Sequence, residues 1–138
     1  MNKDEIARGP LYSVRTFRTG QCRVAGRYAY KTYRRDIDHL FYIYITVIHG
    51  SGICALIDTG MTSVEEMNRG AGFLFTELIT QDANESTEAI LERASVTADE
   101  VNYIFFTHCH YDHCSNAILF PNAKIVIPET AWKAWHSD

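Results

Sequence analysis

A chain of 138 residues, 46% hydrophobic and 22% charged with a formal net charge of −4, has the size and make-up of one ordinary globular domain with its own core. The longest apolar stretch, Leu40 to Ile48, is broken by Thr46 and is far too short to span a bilayer. Cys22, Cys54, Cys109 and Cys114 lack Cys-x-x-Cys spacing, which argues against a zinc knuckle and for bystander thiols in a reducing compartment. Met1-Asn2-Lys3-Asp4-Glu5 lacks the apolar centre of a signal peptide, so the expected location is the cytoplasm. No repeat, linker or low-complexity tract interrupts residues 1–138, and a single domain is expected.

In chain order, Tyr12 to Phe17 alternates with roughly period two, and Tyr28 to Tyr33 interleaves aromatics with Lys31 and Thr32; both read as strands. Between Arg8 and Arg35 lie Arg15, Arg18, Arg23, Arg27, Lys31 and Arg34 with no acidic residue. Basic residues among tyrosines suit phosphate and base-stacking contacts. The net negative charge makes an outer sheet face or a subunit contact the preferred reading over a nucleic-acid surface. Leu40 to Ile48 and Ile53 to Ile57 flank His49-Gly50-Ser51-Gly52, the pattern of a hairpin, and their near-continuous apolarity suits central strands of a covered sheet.

Asp58-Thr59-Gly60 follows at the strand end, where Asp58 can either open a turn or support a neighbouring site. Met61 to Asn84 can form a cavity wall or simply cover the sheet; as a wall, Met61, Phe73 and Phe75 would favour an apolar or aromatic substrate. Ser86 is placed to cap a helix over Thr87 to Ala94 with an apolar stripe of Ile90, Leu91 and Ala94. Thr97 with Glu100 forms a capping box, and Val101, Ile104, Phe105 and Phe106 make a short strand.

Where that strand ends, Thr107-His108-Cys109-His110-Tyr111-Asp112-His113-Cys114 crowds three histidines and a carboxylate into one loop. Imidazole is the commonest protein ligand for zinc and suits iron, while a carboxylate adds a hard donor. In extended backbone His108 and His110 point the same way and converge on one ion. Asp112 and His113 diverge unless a turn brings them round to a second ion, giving a paired site that clamps both ends of a displacement reaction. Cys109 would point away from the two histidines, so it is not counted as a ligand.

The pattern His-x-His-x-Asp-His, preceded by Phe105-Phe106-Thr107 and followed by Ser115-Asn116, resembles the signature of the metallo-β-lactamase-fold superfamily, and the local text is most similar to its lactonase-like hydrolases. Leu56-Ile57-Asp58-Thr59-Gly60 and Leu119-Phe120-Pro121-Asn122-Ala123 strengthen the resemblance. It implies an α/β fold, an αββα sandwich, with His108 and His110 on a first metal, Asp112 and His113 on a second, and Asp58 beside the site, where a carboxylate orients ligand imidazoles. Two divalent ions are implied, zinc foremost, with iron or manganese compatible.

Family members add a further histidine, a bridging aspartate and a last histidine from a second half of the fold. Beyond His113 only His136 and Asp138 remain, and neither matches those positions. The chain therefore reads as a first half, and a second subunit is expected to supply the missing ligands and cover an open sheet face. The expected activity is that of a metal-dependent hydrolase in which paired metals make hydroxide available at neutral pH, with Asp112 orienting it, on an ester, lactone or activated aryl ether of an apolar small molecule. The alternatives are a metal-dependent nuclease and a non-catalytic scaffold subunit with a vestigial metal site.

Overall fold

A computed structural model describes residues 11–136; the expectations placed on Met1 to Glu5, Arg8 and Asp138 lie outside them. The strands are β1 (Ser13–Ala25), β2 (Asp38–Gly50), β3 (Ile53–Ile57), β4 (Phe75–Thr80), β5 (Tyr103–Phe105) and β6 (Lys124–Val126). They form one mixed sheet in the order β4-β1-β2-β3-β5-β6. β1, β2 and β3 run antiparallel, whereas β3 and β5, then β5 and β6, are parallel. The helices are α1 (Gly26–Ala29), α2 (Val64–Ala71), α3 (Thr87–Ala94), α4 (Tyr111–Cys114) and α5 (Glu129–His136). Among the described residues no helix is long and apolar enough to cross a membrane.

The β2–β3 hairpin closes through Ser51 and Gly52, both at positive φ (49° and 76°), as a type I′ turn requires. Helix α3 starts as its sequence predicts, with the Ser86 hydroxyl accepting from the Ala89 N–H. At Thr97 the Glu100 carboxylate accepts from both the backbone N–H and the hydroxyl. Ile90 and Leu91 press onto one sheet face and bury Phe17, Ile45, Val47, Leu56 and Ile104. Each such aliphatic or aromatic side chain taken from water stabilises the fold by about 1.5–3 kcal/mol. A smaller cluster joins Cys22, Ile43, Met61 and Ile79.

This is one sheet and one helical side of the expected sandwich. Residue alternation puts Val14, Tyr42, Tyr44, Phe105 and Val126 on the opposite face, where they are 41% or more exposed. The apolarity of Leu40 to Ile48 therefore serves two faces, of which the described residues cover one.

The strand expected over Tyr28 to Tyr33 is absent. The chain instead makes the short α1 and a bend, because Gly26 N–H bonds to Ile37 O and pinches the connection shut. A Cβ at residue 26 would lie 2.2 Å from Arg34 O, so the pinch needs glycine. Nor is Met61 to Asn84 a single loop or helix: it contains α2, a 3-10 turn over Gly72–Leu74 and the edge strand β4. Of the basic run, Arg18 pairs with Glu85 and Asp82, and Arg23 with Glu77.

Candidate metal centre

The candidate site sits where the parallel strands β3 and β5 end side by side, the edge of an α/β sheet at which ligands commonly bind. The two strand ends are tied together. Asp58 N–H donates to Phe105 O at 2.9 Å, continuing the ladder by one residue, and Thr59 N–H donates to His113 O at 2.7 Å. Asp58 adopts a left-handed conformation (φ 60°), which aspartate tolerates better than most residues and which turns its carboxylate toward the loop after β5. Gly60 follows at φ 73°. A Cβ there would meet Thr87 Oγ1, Ile45 Cδ1 and Thr19 Oγ1 at 3.0–3.1 Å, so the turn is packed against α3 and β2. Thr87 Oγ1 donates to Thr59 O, and the Asn116 amide donates to Met61 O and Thr87 Oγ1, which locks this turn to the segment behind α4.

Asp58 is 4% exposed and accepts three hydrogen bonds at 2.8 Å: from Thr107 N–H, from Thr107 Oγ1 and from His113 Nδ1. Because the Thr107 proton is committed to the carboxylate, His108 Nδ1 at 3.0 Å must donate to Thr107 Oγ1. Both imidazoles are thus held through Nδ1, leaving Nε2 of each as the donor atom for a cation. Burial opposes charge on Asp58, but the bonds from His113 and Thr107 outweigh it and hold the carboxyl below its usual range.

Helix α4 is the turn that brings Asp112 and His113 around. Its first residue follows His110, whose carbonyl accepts from His113 N–H and Cys114 N–H. The result gathers three rings: His108 lies 4.6 Å from His110 and 4.1 Å from His113, centroid to centroid. Asp112 Oδ2 is 3.3 Å from His113 Nε2. Burial penalises a charged His113, yet Asp112 and Asp58 on its two nitrogens raise it to about 9. Burial and then the neighbouring His113 and His110 push His108 below the ordinary histidine value, so its ring is neutral. Asp112 is held low by His113 against the effect of burial.

A buried carboxylate, Asp58, and a half-buried one, Asp112, with one protonated imidazole between them form a site that calls for positive charge. Among the described residues no three His, Cys, Asp or Glu side chains stand as a preformed cation cage, because the donors face one another. The donor set nevertheless fits a divalent cation: neutral imidazole on His108, an ionised carboxylate on Asp112, and a His113 Nε2 whose proton a metal would replace. Cys109 and Cys114 pack toward the main core.

Beside the rings lies a cavity of about 320 Å³, lined by Glu66, Met67, Gly70, Ala71, Leu74, His110 and Tyr111. The residues expected at such a cavity sit elsewhere. Met61 turns inward from the β3 end and is buried in the smaller core cluster, Phe75 packs against that cluster as β4 begins, and Phe73 is 75% exposed. The wall comes from α2 instead, and Tyr111, which sequence reading passed over, joins the two sides. Its only signal was an aromatic ring between two proposed ligands.

A sequence profile of the metallo-beta-lactamase superfamily matches residues 40–137. Among solved structures, the chain is similar to an N-acyl homoserine lactone hydrolase with the product N-hexanoyl-L-homoserine bound at its catalytic metal center, at 21% identity and TM-score 0.73, covering 91% of this chain and 52% of that one. It is also similar to a quorum-quenching N-acyl homoserine lactone lactonase, at 20% identity and TM-score 0.70, covering 91% and 49%. A Bacillus thuringiensis AiiA mutant with N-decanoyl-L-homoserine at the active site matches at 20% identity and TM-score 0.73, covering 91% and 52%. The chain thus spans about half the length of these structures. No curated protein sequence matches significantly.

Proposed function

The chain belongs to the metallo-beta-lactamase superfamily, and from that premise we propose that it supplies four ligands, His108, His110, Asp112 and His113, to a paired divalent-metal site of a hydrolase. The observation that carries the proposal is the coupled orientation of His113 by Asp58 and of His108 by Thr107 through Nδ1, which leaves Nε2 as the ligating atom of each ring, with Asp112 Oδ2 3.3 Å from that of His113. When bound, divalent metal would lower the pKa of a water and polarise the scissile bond. Zinc suits this mixture of imidazole and carboxylate best, with iron and manganese compatible.

The chain's own residues do the positioning. Asp58 keeps the proton of His113 on Nδ1, and Thr107 relays the same constraint to His108. Asp112, ionised at neutral pH, is placed to accept a hydrogen bond from the attacking water at whichever oxygen does not ligate, and so to orient it. His110, at the mouth of the apolar cavity, brings the reacting bond next to the space that holds an apolar group. The substrate class is therefore an ester, a lactone or an activated aryl ether with an apolar substituent.

We assign the remaining ligands to a further stretch of protein, in the same polypeptide or in a second subunit, that packs on the sheet face carrying Tyr42, Tyr44 and Phe105. Support comes from the exposure of these rings and from the half-length match to the lactonase structures. Sheets that pack face to face bury such side chains between them.

The test uses the chain together with its completing half: metal content by mass spectrometry and hydrolysis of p-nitrophenyl esters and acyl lactones. Divalent metal and hydrolysis are expected together, chelation should remove both, and His110→Ala should abolish turnover. Full turnover by His110→Ala, or by metal-stripped protein, overturns the assignment.

A further inference from the structure

Helix α2, the wall of the apolar cavity, is weakly attached by its apolar side. None of its residues is fully buried, and only Val64 and Met67 pack against the smaller core cluster. An element with so few buried contacts opens at low free-energy cost. Two polar moorings hold it. On one side the Asn68 amide donates to Ile79 O at 3.0 Å and accepts from Ile79 N–H at 2.9 Å, fastening α2 to β4 as though it extended the sheet edge. On the other, the Tyr111 hydroxyl donates to Glu66 Oε2 at 2.5 Å and lies 2.5 Å from Thr62 Oγ1. Thr62 N–H in turn donates to Ser115 Oγ at 2.9 Å.

One hydroxyl therefore joins α2 to α4, the turn that carries Asp112 and His113. The Tyr111 ring and His110 form one side of the cavity, while Met67, Gly70, Ala71 and Leu74 form the other. The bond between Tyr111 and Glu66 bridges the two sides.

We propose that the Tyr111–Glu66 contact is a clamp that sets the width of the apolar cavity and hence the size of the apolar group the site accepts. Tyr111 is in this respect a positioning residue. The selectivity it confers rests on the hydrolase reading above; the clamp itself does not. A carboxylate acceptor makes the bond stronger than a neutral one, and the phenol ring can keep its place when the hydroxyl is removed, so the two contributions are separable.

The test compares Tyr111→Phe, Glu66→Ala and Glu66→Gln with the unaltered protein, joined to its completing half. The first measurement is hydrogen–deuterium exchange of the amides of residues 64–71. Tyr111→Phe and Glu66→Ala should speed exchange about tenfold, the change given by losing one hydrogen bond of ordinary strength. Glu66→Gln, which keeps an acceptor oxygen but loses its charge, should fall between these variants and the unaltered protein. The second is kcat/KM across p-nitrophenyl esters from acetyl to decanoyl, where Tyr111→Phe should flatten the dependence on chain length. Unchanged α2 exchange in Tyr111→Phe overturns the clamp whatever the activity. Faster exchange with an unchanged chain-length profile overturns its role in selectivity. If the unaltered protein hydrolyses none of the esters, the hydrolase reading falls and the selectivity role falls with it, while α2 exchange still decides the clamp.

Discussion

Asp58→Asn separates the charge at the end of β3 from its shape. Asparagine is isosteric and tolerates the left-handed backbone at this position, so φ 60° adds no new strain. Its carbonyl oxygen can still accept from Thr107 N–H as Oδ1 does now. The NH₂ end then faces Thr107 Oγ1 and His113 Nδ1, two groups that presently donate to Oδ2. His113 can meet an amide N–H only by moving its proton to Nε2, and Thr107 only by giving up its present donation. Each of three carboxylate-accepted bonds becomes a neutral one at a loss of about 1 kcal/mol, so the substitution should cost up to about 3 kcal/mol. Against a typical domain stability of about 5–15 kcal/mol the protein stays folded.

The cost to metal binding is of a different kind, since the neutral ring now keeps its remaining proton on the atom meant to ligate instead of on Nδ1. Loss of such a carboxylate behind a ligand imidazole lowers affinity about 10- to 100-fold, or about 1.4–2.8 kcal/mol. The assay is Zn²⁺ competition against a fluorescent chelator at pH 7.5, with a urea melt of the metal-free protein and ¹⁵N imidazole spectra to read the tautomer. Unaltered Zn²⁺ affinity in Asp58→Asn, with His113 still protonated on Nδ1, would refute the reasoning.

Two further outcomes test the packing around the site. Gly60→Ala should destabilise by about 2–4 kcal/mol, combining a left-handed backbone cost with overpacking against Thr87, Ile45 and Thr19, read as a shift in the urea midpoint; an unshifted midpoint contradicts the tight turn. Cys22 is pushed up to about 11 by burial and secondarily by Asp112. At pH 8 only about one thiol in a thousand is ionised there, and iodoacetamide should modify Cys22 only after unfolding. Native-state labelling as fast as a free thiol would show that the site beneath α4 is open to water.

Much of the site was legible because its chemistry is local. His108, His110, Asp112 and His113 lie within six positions, and the need for a turn before Asp112 follows from the two-residue period of a strand. Ser86, Thr97 and the Ser51-Gly52 turn were readable for the same reason: each acts on backbone within three or four residues. What escaped depends on distant partners. The pinch at Gly26 is closed by Ile37 O, and β4 is held partly by the Asn68 side chain, so neither leaves a periodic trace. The cavity wall was assigned to Met61, Phe73 and Phe75 because they are apolar and follow the Asp-Thr-Gly turn. Alternation and helix phase instead send Met61 into the core and bring Met67 and Ala71 to the cavity.

The two-residue turn at Ser51-Gly52 lies far from the metal-binding loop in sequence, yet it acts as the indexing pin of the whole site. By pairing Gly50 with Ile53 it fixes that Leu56 faces α3 and that β3 runs out at Ile57, level with Phe105. A slip of one residue would exchange the faces of β3 and carry the Asp58 carboxylate one rung past Thr107 and His113. Insertions at this hairpin are therefore metal-site lesions in disguise, harmful without touching a single ligand.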